Sequence, residues 1–275
     1  LAVKGIGGFL FMGDARSDEV ARRLRDRKHR PDKPFALMYP SLDLICRDFD
    51  LSEIERTELA SCRAPIVLLR SSNRQAFSSL ISPGVPFCGV MLPYTPLFSI
   101  LMRGLGFPVI ATSGNFSEEP ICTDETEAFW MLQPIADAFL VHNRPILRRT
   151  DDSVVHETGG RIQVLRSGLG YAPQMFKTAF IKTVLAAGAH LKSAVAISKA
   201  GTGLLSPHIG DLENVECFRA YGQMVSGLTS HGLGEPESVC CDLHPDYLSS
   251  QYAAGLGKPL LKVQHHFAHV LSCML

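Results

Sequence analysis

The sequence lacks three features that would each decide the class of the protein. It contains no apolar run approaching the roughly 20 residues that a membrane-spanning helix needs. Its eight cysteines include no C-x-x-C pair, which favours reduced thiols in a cytoplasmic protein over metal ligands. Its 27 lysines and arginines equal its 27 aspartates and glutamates, so it has no basic excess of the kind typical of nucleic-acid-binding proteins.

The composition is that of a globular enzyme-like chain. Apolar residues make up 46% of the 275 residues, enough for one large domain or two ordinary ones. Strand patterns alternate with helix patterns, which predicts an α/β fold. The alternation breaks in SGLGYAPQMFKT, and we place the domains at 1–176 and 177–275. Because the chain begins in a strand pattern and stops in a helix pattern, we expect an internal piece of a longer protein.

Short polar residues mark the expected helix starts. These are Ser17 before two acidic residues, Ser52 with Glu55 at the spacing of a capping box, Thr95 before a proline, and Thr123. A helix is expected to follow each of them.

A dense basic segment, RKHRPDKPFALM, stands directly before a short apolar strand. Its five basic side chains allow two interpretations, a solvated helix end or a site for one small anion. Two prolines stiffen the segment. Lys28 and Arg30 are spaced so that both reach one anion if the backbone is extended there, as a following proline favours.

Two more segments place polar groups where an α/β sheet binds ligands. The motif ATSGN ends a predicted strand with Ser113 and Asn115, whose side chains and loop N–H groups can satisfy phosphate oxygens. Ser153 and Arg166 flank a predicted hairpin, and Arg166 either reaches an anion or lies on the surface. Each motif alone is also typical of an ordinary turn.

The segment VQHHFAHVL places His265 and His269 four residues apart, on one face of a helix. This is the spacing of a paired metal site, and neutral imidazole suits zinc or iron. Ordinary surface or core histidines are the alternative. Two histidines do not complete a first shell, so we expect the other ligands to lie past Leu275.

Together these motifs resemble one family. Residues 1–176 are similar to YrdC-like domains, twisted open α/β modules that use ATP to make acyl-adenylates. The segments KGIGGF, RKHRPDKPFALM, GVMLPYTPL, ATSGN and RTDDSVV resemble the HypF family of hydrogenase maturation carbamoyltransferases. LSPHIGDLEN, CDLHPDY and VQHHFAH resemble the start of the TsaD-like domain that follows in HypF, which has the actin/Hsp70-like ATPase fold. The chain departs from the family at Leu10 and Phe267, where histidines are usual.

The resemblance implies an ATP-dependent carbamoyltransferase. The first domain would use ATP, with Mg²⁺, and carbamate derived from carbamoyl phosphate to form carbamoyl-adenylate. The second would pass the carbamoyl group to the C-terminal cysteine of the partner HypE, without a membrane or nucleic acid taking part.

The same resemblance implies roles for individual residues. Lys28 and Arg30 would be catalytic, stabilising charge on the phosphates. The other nucleotide- and carbamate-binding residues would be Ser113, Asn115, Ser153 and Arg166. In the second domain the GAHLK turn, with Gly188 and Lys192, would bind phosphate, and His265 and His269 would bind the metal.

Three alternatives stay open at this point. A threonylcarbamoyl-adenylate synthase for tRNA modification shares the first domain, and a small-molecule O-carbamoyltransferase shares both. An RNA-binding module that uses the basic segment is the non-enzymatic alternative, and it would show salt-steep binding without nucleotide turnover.

Overall fold

A computed structural model describes residues 1–73, 75–116 and 119–274. The chain divides into two units, each with its own sheet and core: Leu1–Ser117 with Ile121–Tyr171, and Glu118–Pro120 with Ala172–Leu275. This division precedes the boundary that we placed after residue 176, because the strand Gln174–Lys177 pairs with the second sheet.

Strands and helices alternate through the first unit. They are β1 (Ala2–Lys4), β2 (Phe9–Asp14), α1 (Asp18–Lys28), β3 (Ala36–Met38), α2 (Leu42–Asp48), α3 (Glu53–Leu59), β4 (Ile66–Arg70), β5 (Phe87–Met91), α4 (Pro96–Leu105), β6 (Val109–Ser113), α5 (Glu125–Leu132), β7 (Phe139–Leu140), β8 (Val154–Thr158) and β9 (Arg161–Arg166), with a 3₁₀ turn at Ser79–Ile81. The described strands form one mixed sheet in the order β7-β1-β2-β6-β3-β5-β4-β8-β9. The predicted α/β class is confirmed.

Three of the expected helix caps are present. The Ser17 hydroxyl accepts from the N–H of Val20, and the Thr95 hydroxyl accepts from Phe98. Ser52 caps α3 in a reciprocal capping box. Each cap satisfies N–H groups that the first helical turn leaves without partners.

The start of α5 differs from the prediction. Asp124, not Thr123, is the cap, because the Asp124 carboxylate accepts the N–H of Glu127 at 2.9 Å. Aspartate and threonine are both good caps, and their adjacency leaves the choice to the tertiary fold. The helix α2, capped by Ser41, was not predicted.

The sheet separates two cores because side chains alternate along each strand. Leu37 packs on the side of α1 and α2, and its neighbour Met38 packs on the side of α4. In register, Ala36 of β3 lies opposite Ala111 of the antiparallel β6. The loop that leads into β3 and the loop that follows β6 therefore meet at one edge of the sheet.

The second unit has a sheet of its own. Its elements are β10 (Gln174–Lys177), β11 (Val184–Ala186), β12 (Ala196–Lys199), β13 (Thr202–Leu205), α6 (Val215–Leu228), β14 (Ser238–Asp242), α7 (Leu248–Gly255), β15 (Leu260–Val263) and α8 (His265–Ser272). The described strands follow the order β10-β13-β12-β11-β14-β15. The strands β14 and β15 are parallel and pair Asp242 with Val263, so the end of β14 lies beside the start of α8.

A buried carboxylate anchors the end of the first unit. Glu58 in α3 is 4% exposed. It accepts hydrogen bonds from Arg63 at 2.8 Å and from the Tyr171 hydroxyl at 2.8 Å. The last residue of the unit is thus attached to a helix that precedes it by more than a hundred positions.

Replacing Glu58 by alanine should destabilise the first unit, because the Tyr171 hydroxyl and the Arg63 guanidinium lose their shared acceptor. We expect the free energy of unfolding to fall by about 1–3 kcal/mol, measured by urea denaturation. Glu53→Ala on the same helix, where the carboxylate is 86% exposed, is the control and should change it by less than about 0.5 kcal/mol. Equal effects of the two variants would contradict the anchor.

Candidate functional site

The Lys28 ammonium joins the basic segment to the loop after β6. Lys28 is the last residue of α1 and is 1% exposed. Its Nζ donates to the Ser113 carbonyl at 2.7 Å, the Asn115 carbonyl at 2.6 Å and the Asn115 Oδ1 at 2.9 Å. These oxygens accept hydrogen bonds from the ammonium, which carries three N–H donors. Lys28, Ser113 and Asn115 therefore lie together.

Burial changes the acidity of Lys28. Desolvation is the largest cause that lowers the pKa of Lys28, and together with the positive charges of Arg30 and Lys33 it brings that pKa to about 7. Asp151 opposes this shift, so its carboxylate lies within electrostatic reach of the ammonium. The site holds a cation that titrates near neutrality.

The loop after β6 is built around a close backbone approach. The N–H of Gly114 donates to the carbonyl of Phe9 at 2.6 Å, and a Cβ at Gly114 would lie 2.7 Å from the Phe9 Cβ. A glycine is therefore required between Ser113 and Asn115. The Ser113 hydroxyl donates to the Asn115 Oδ1 at 2.7 Å, which orients that side chain.

Arg30 lies at the same edge of the sheet. Its Nη1 donates to the Thr112 hydroxyl at 3.1 Å, Nε donates to the Lys33 carbonyl at 3.1 Å, and Nη2 donates to the Pro34 carbonyl. The guanidinium also lies 5.1 Å from the centre of the Phe35 ring. Four predicted residues, Lys28, Arg30, Ser113 and Asn115, thus come from two segments to one place.

The sequence analysis missed Arg25, whose guanidinium binds backbone carbonyls of the basic segment. It is 6% exposed and donates to the carbonyls of Leu80, Arg30 and Pro31, each at 2.8 Å. Burial lowers the pKa of its guanidinium. The signal was the spacing of Ala21, Arg25 and Lys28, which puts both cations on the buried face of α1.

Ser153 and Arg166 form a second group at the start of β8. The buried Ser153 hydroxyl donates to the Leu169 carbonyl at 2.9 Å and accepts from the N–H of Gly168 at 2.8 Å. Arg166 lies opposite Val154 and donates to the Asp152 carbonyl at 2.9 Å. In the sheet order, β3, β5 and β4 lie between β8 and β6.

Two aspartates directly precede Ser153 in the chain. Burial raises the pKa of Asp152 to about 6, while a hydrogen bond from Tyr94 and the charge of Arg166 oppose the rise. Asp151 acts electrostatically on both Asp152 and Lys28. The Asp151 carboxylate therefore couples the second group electrostatically to Lys28 of the first group.

The GAHLK turn connects β11 to β12 in the second unit. Gly188 has a φ of 72°, and a Cβ there would lie 2.0 Å from the Ala194 carbonyl oxygen. The N–H of Lys192 donates to the Asp211 carboxylate at 2.6 Å, and the Lys192 side chain is exposed. The turn requires its glycine and leaves the lysine side chain at the surface.

The two histidines face each other on α8. The Nε2 atoms of His265 and His269 are 3.1 Å apart. Two nitrogens bound to one tetrahedral zinc at about 2.0–2.1 Å would be roughly 3.3 Å apart, so the pair fits two positions of such a metal. Among the described residues, no group of three or more histidine, cysteine, aspartate or glutamate side chains is arranged to hold a metal ion.

Comparison with known proteins assigns both units. Residues 1–168 match the Sua5/YciO/YrdC family model, described as telomere recombination, and residues 180–275 match the model of the HypF Kae1-like domain. The chain belongs to the HypF family. The predicted resemblance is thereby confirmed for both parts of the chain.

Curated HypF proteins align along the whole chain. Carbamoyltransferase HypF of Synechocystis is 43% identical over 276 residues, covering 100% of this chain and 36% of that protein. Probable carbamoyltransferase HypF of Methanocaldococcus jannaschii is 35% identical, covering 100% of this chain and 37% of that protein. The chain therefore spans little more than a third of the length of these HypF relatives.

Solved HypF structures share the fold. The crystal structure of full-length HypF in the phosphate- and nucleotide-bound form is 41% identical with a TM-score of 0.95, covering 99% of this chain and 44% of that one. The crystal structure of T. kodakarensis HypF has a TM-score of 0.93 at 35% identity, covering 98% of this chain and 36% of that one. No described helix of this HypF-family chain has the length and apolar character needed to cross a membrane.

Replacing Lys28 by methionine should remove a pH dependence of stability. The pKa of Lys28 falls from 10.5 to about 7 on folding, so unfolding takes up a proton between these values. The wild-type free energy of unfolding should therefore rise across this range relative to Lys28→Met, by at most about 1.4 kcal/mol per pH unit. Below pH 7 the lysine is charged in both states and the difference should be constant.

Urea denaturation of both proteins at several pH values measures this effect. Parallel pH profiles above neutrality would show that Lys28 keeps an ordinary pKa, and would contradict the burial of its charge.

Proposed function

We propose that the first unit binds ATP and joins it to carbamate, forming carbamoyl-adenylate and pyrophosphate. The observation that carries this proposal is the set of three hydrogen bonds from the Lys28 ammonium to Ser113 and Asn115, beside the Arg30 guanidinium. This arrangement gathers fixed cations, a hydroxyl and an amide at one sheet edge. The nucleotide in the HypF structure that shares this fold agrees with it.

The chemistry of adenylate formation suits these residue types. A carbamate oxygen forms a bond to the α-phosphorus of ATP while the bond from that phosphorus to the bridging oxygen breaks, and pyrophosphate leaves with the electron pair. Negative charge develops on the phosphate oxygens, and preorganised cations stabilise it. Carbamate is already an anion, so the step demands no general base.

The two cations have different roles in this proposal. Arg30 is held by Thr112 and by the carbonyls of its own loop, and its guanidinium would contact phosphate oxygens. Lys28 is almost fully buried, so it would act at close range through its charge and by orienting Ser113 and Asn115. Mg²⁺ carried with the triphosphate would neutralise part of its charge.

Ser153 and Arg166 enter the proposal through the family likeness. Both Ser153 hydroxyl contacts are internal, which suggests that it orders the loop of Gly168 and Leu169. Arg166, which binds the Asp152 carbonyl, would then hold one end of the nucleotide or the carbamate.

The remaining steps belong to full-length HypF proteins, and this chain spans 36% of the length of the Synechocystis relative. We propose that the second unit passes the carbamoyl group to the C-terminal cysteine thiol of HypE, with carbamoyl phosphate as the source of carbamate and the cytoplasm as the compartment. Gly188 and Lys192 would contribute to phosphate binding there. His265 and His269 would hold zinc or iron, which would supply Lewis acidity toward a carbonyl or phosphate oxygen.

Replacing Arg30 by alanine should lower ATP–pyrophosphate exchange roughly 100- to 1,000-fold, because one fixed cation is lost from the transition state. Lys28→Ala should abolish exchange, and Lys28→Met separates loss of charge from loss of packing. Exchange is measured with radiolabelled pyrophosphate in ammonium bicarbonate, which supplies carbamate.

Arg22→Ala is the matched control, because Arg22 is an exposed cation on the same helix. Wild-type exchange in Arg30→Ala would refute the assignment. Exchange that requires threonine would favour the threonylcarbamoyl-adenylate alternative.

A further inference from the structure

The second unit contains a carboxylate that contacts His265 on the side of the ring away from His269. The Asp242 Oδ2 lies 2.7 Å from the Nδ1 of His265. The other ring nitrogen of His265, Nε2, is the one that faces His269. Asp242 therefore holds the His265 imidazole at Nδ1, and Nε2 is directed toward His269.

We propose that Asp242 is a positioning residue that fixes the tautomer and ring orientation of His265, so that its Nε2 lone pair is available to a metal ion. This inference rests on the proposed metal role of His265 and His269. A carboxylate accepts hydrogen bonds only, so Nδ1 must carry the proton when it donates to Asp242. A neutral imidazole has one N–H, and Nε2 is then left as the acceptor and the metal ligand.

The fold holds the carboxylate in place. Asp242 is the last residue of β14, and its side chain is 8% exposed, compared with 44% for His265. Its Oδ1 accepts the N–H of His244 at 2.9 Å, which leaves Oδ2 directed at His265. Its carbonyl accepts from the Ser250 hydroxyl at 3.0 Å. Hydrogen bonds thereby fix both the side chain and the backbone carbonyl of Asp242.

Strand register brings the two partners together. Asp242 pairs with Val263 across the parallel strands β14 and β15, and His265 follows Val263 by two positions at the start of α8. The Tyr247 ring contacts the edge of the His265 ring, with centroids 6.2 Å apart. The position of the carboxylate relative to the imidazole is a property of the sheet and does not depend on a flexible surface contact.

The test measures zinc affinity of the protein by competition with a chromophoric chelator. Asp242→Ala should weaken zinc binding roughly 10- to 100-fold, as loss of a partner behind a metal-binding histidine does elsewhere. Asp242→Asn should lie between Asp242→Ala and the wild type, because His244 and His265 contact different carboxylate oxygens and the amide replaces one of these acceptors with an NH2 donor. Asp246→Asn, an exposed aspartate in the same segment, is the control and should bind zinc as the wild type does.

A second measurement separates tautomer control from a general effect on folding. Long-range proton–nitrogen NMR of the metal-free protein, at a pH where the imidazoles are neutral, should show His265 protonated at Nδ1 in the wild type and a mixture of tautomers in Asp242→Ala. Wild-type zinc affinity and an unchanged tautomer in Asp242→Ala would overturn the proposal. If His265→Ala with His269→Ala also keeps wild-type zinc affinity, the proposed metal role of the histidines fails instead.

Discussion

The candidate nucleotide site depends on one buried ammonium. Removing a cation from water costs several kcal/mol unless polar groups replace the water. For Lys28 the replacements include two backbone carbonyls and one amide oxygen, all within 2.9 Å. The price of this burial is a pKa lowered to about 7, and the result is a loop whose shape is tied to the end of a helix.

Neighbouring residues hold the two segments that the Lys28 ammonium joins. Arg25 binds the carbonyls of the basic segment and so gives the chain after α1 its path toward β3. Gly114 lets the backbone approach Phe9 closely enough for a hydrogen bond between strands. The formal net charge of the chain is zero, which is consistent with one small anionic ligand as the partner of these cations.

The second unit uses the same principle at a different sheet edge. Parallel strands end side by side, so residues distant in sequence meet beyond their carboxyl ends. Asp242 and the start of α8 meet in this way. In both units a short-range motif provides the candidate side chains, and a long-range strand pairing provides groups that orient them.

The local patterns were readable because they depend on neighbours within one turn or one strand. The caps at Ser17, Ser52 and Thr95, the alternation of elements, and the spacing of His265 and His269 are of this kind. The HypF likeness was also readable, since its motifs are contiguous. Adjacent caps of similar strength, Thr123 and Asp124, could not be ranked from such neighbours alone.

Tertiary structure decided which groups the candidate side chains contact. Lys28 takes acceptors 85 and 87 positions away, and only the folded chain brings α1 and the loop after β6 within hydrogen-bond distance. Arginine is usually a surface residue, but the packing of this fold buries Arg25. The sequence by itself determined the elements and the candidate side chains. Desolvation and strand register, which are properties of the assembled chain, determined their partners and the lowered pKa of Lys28.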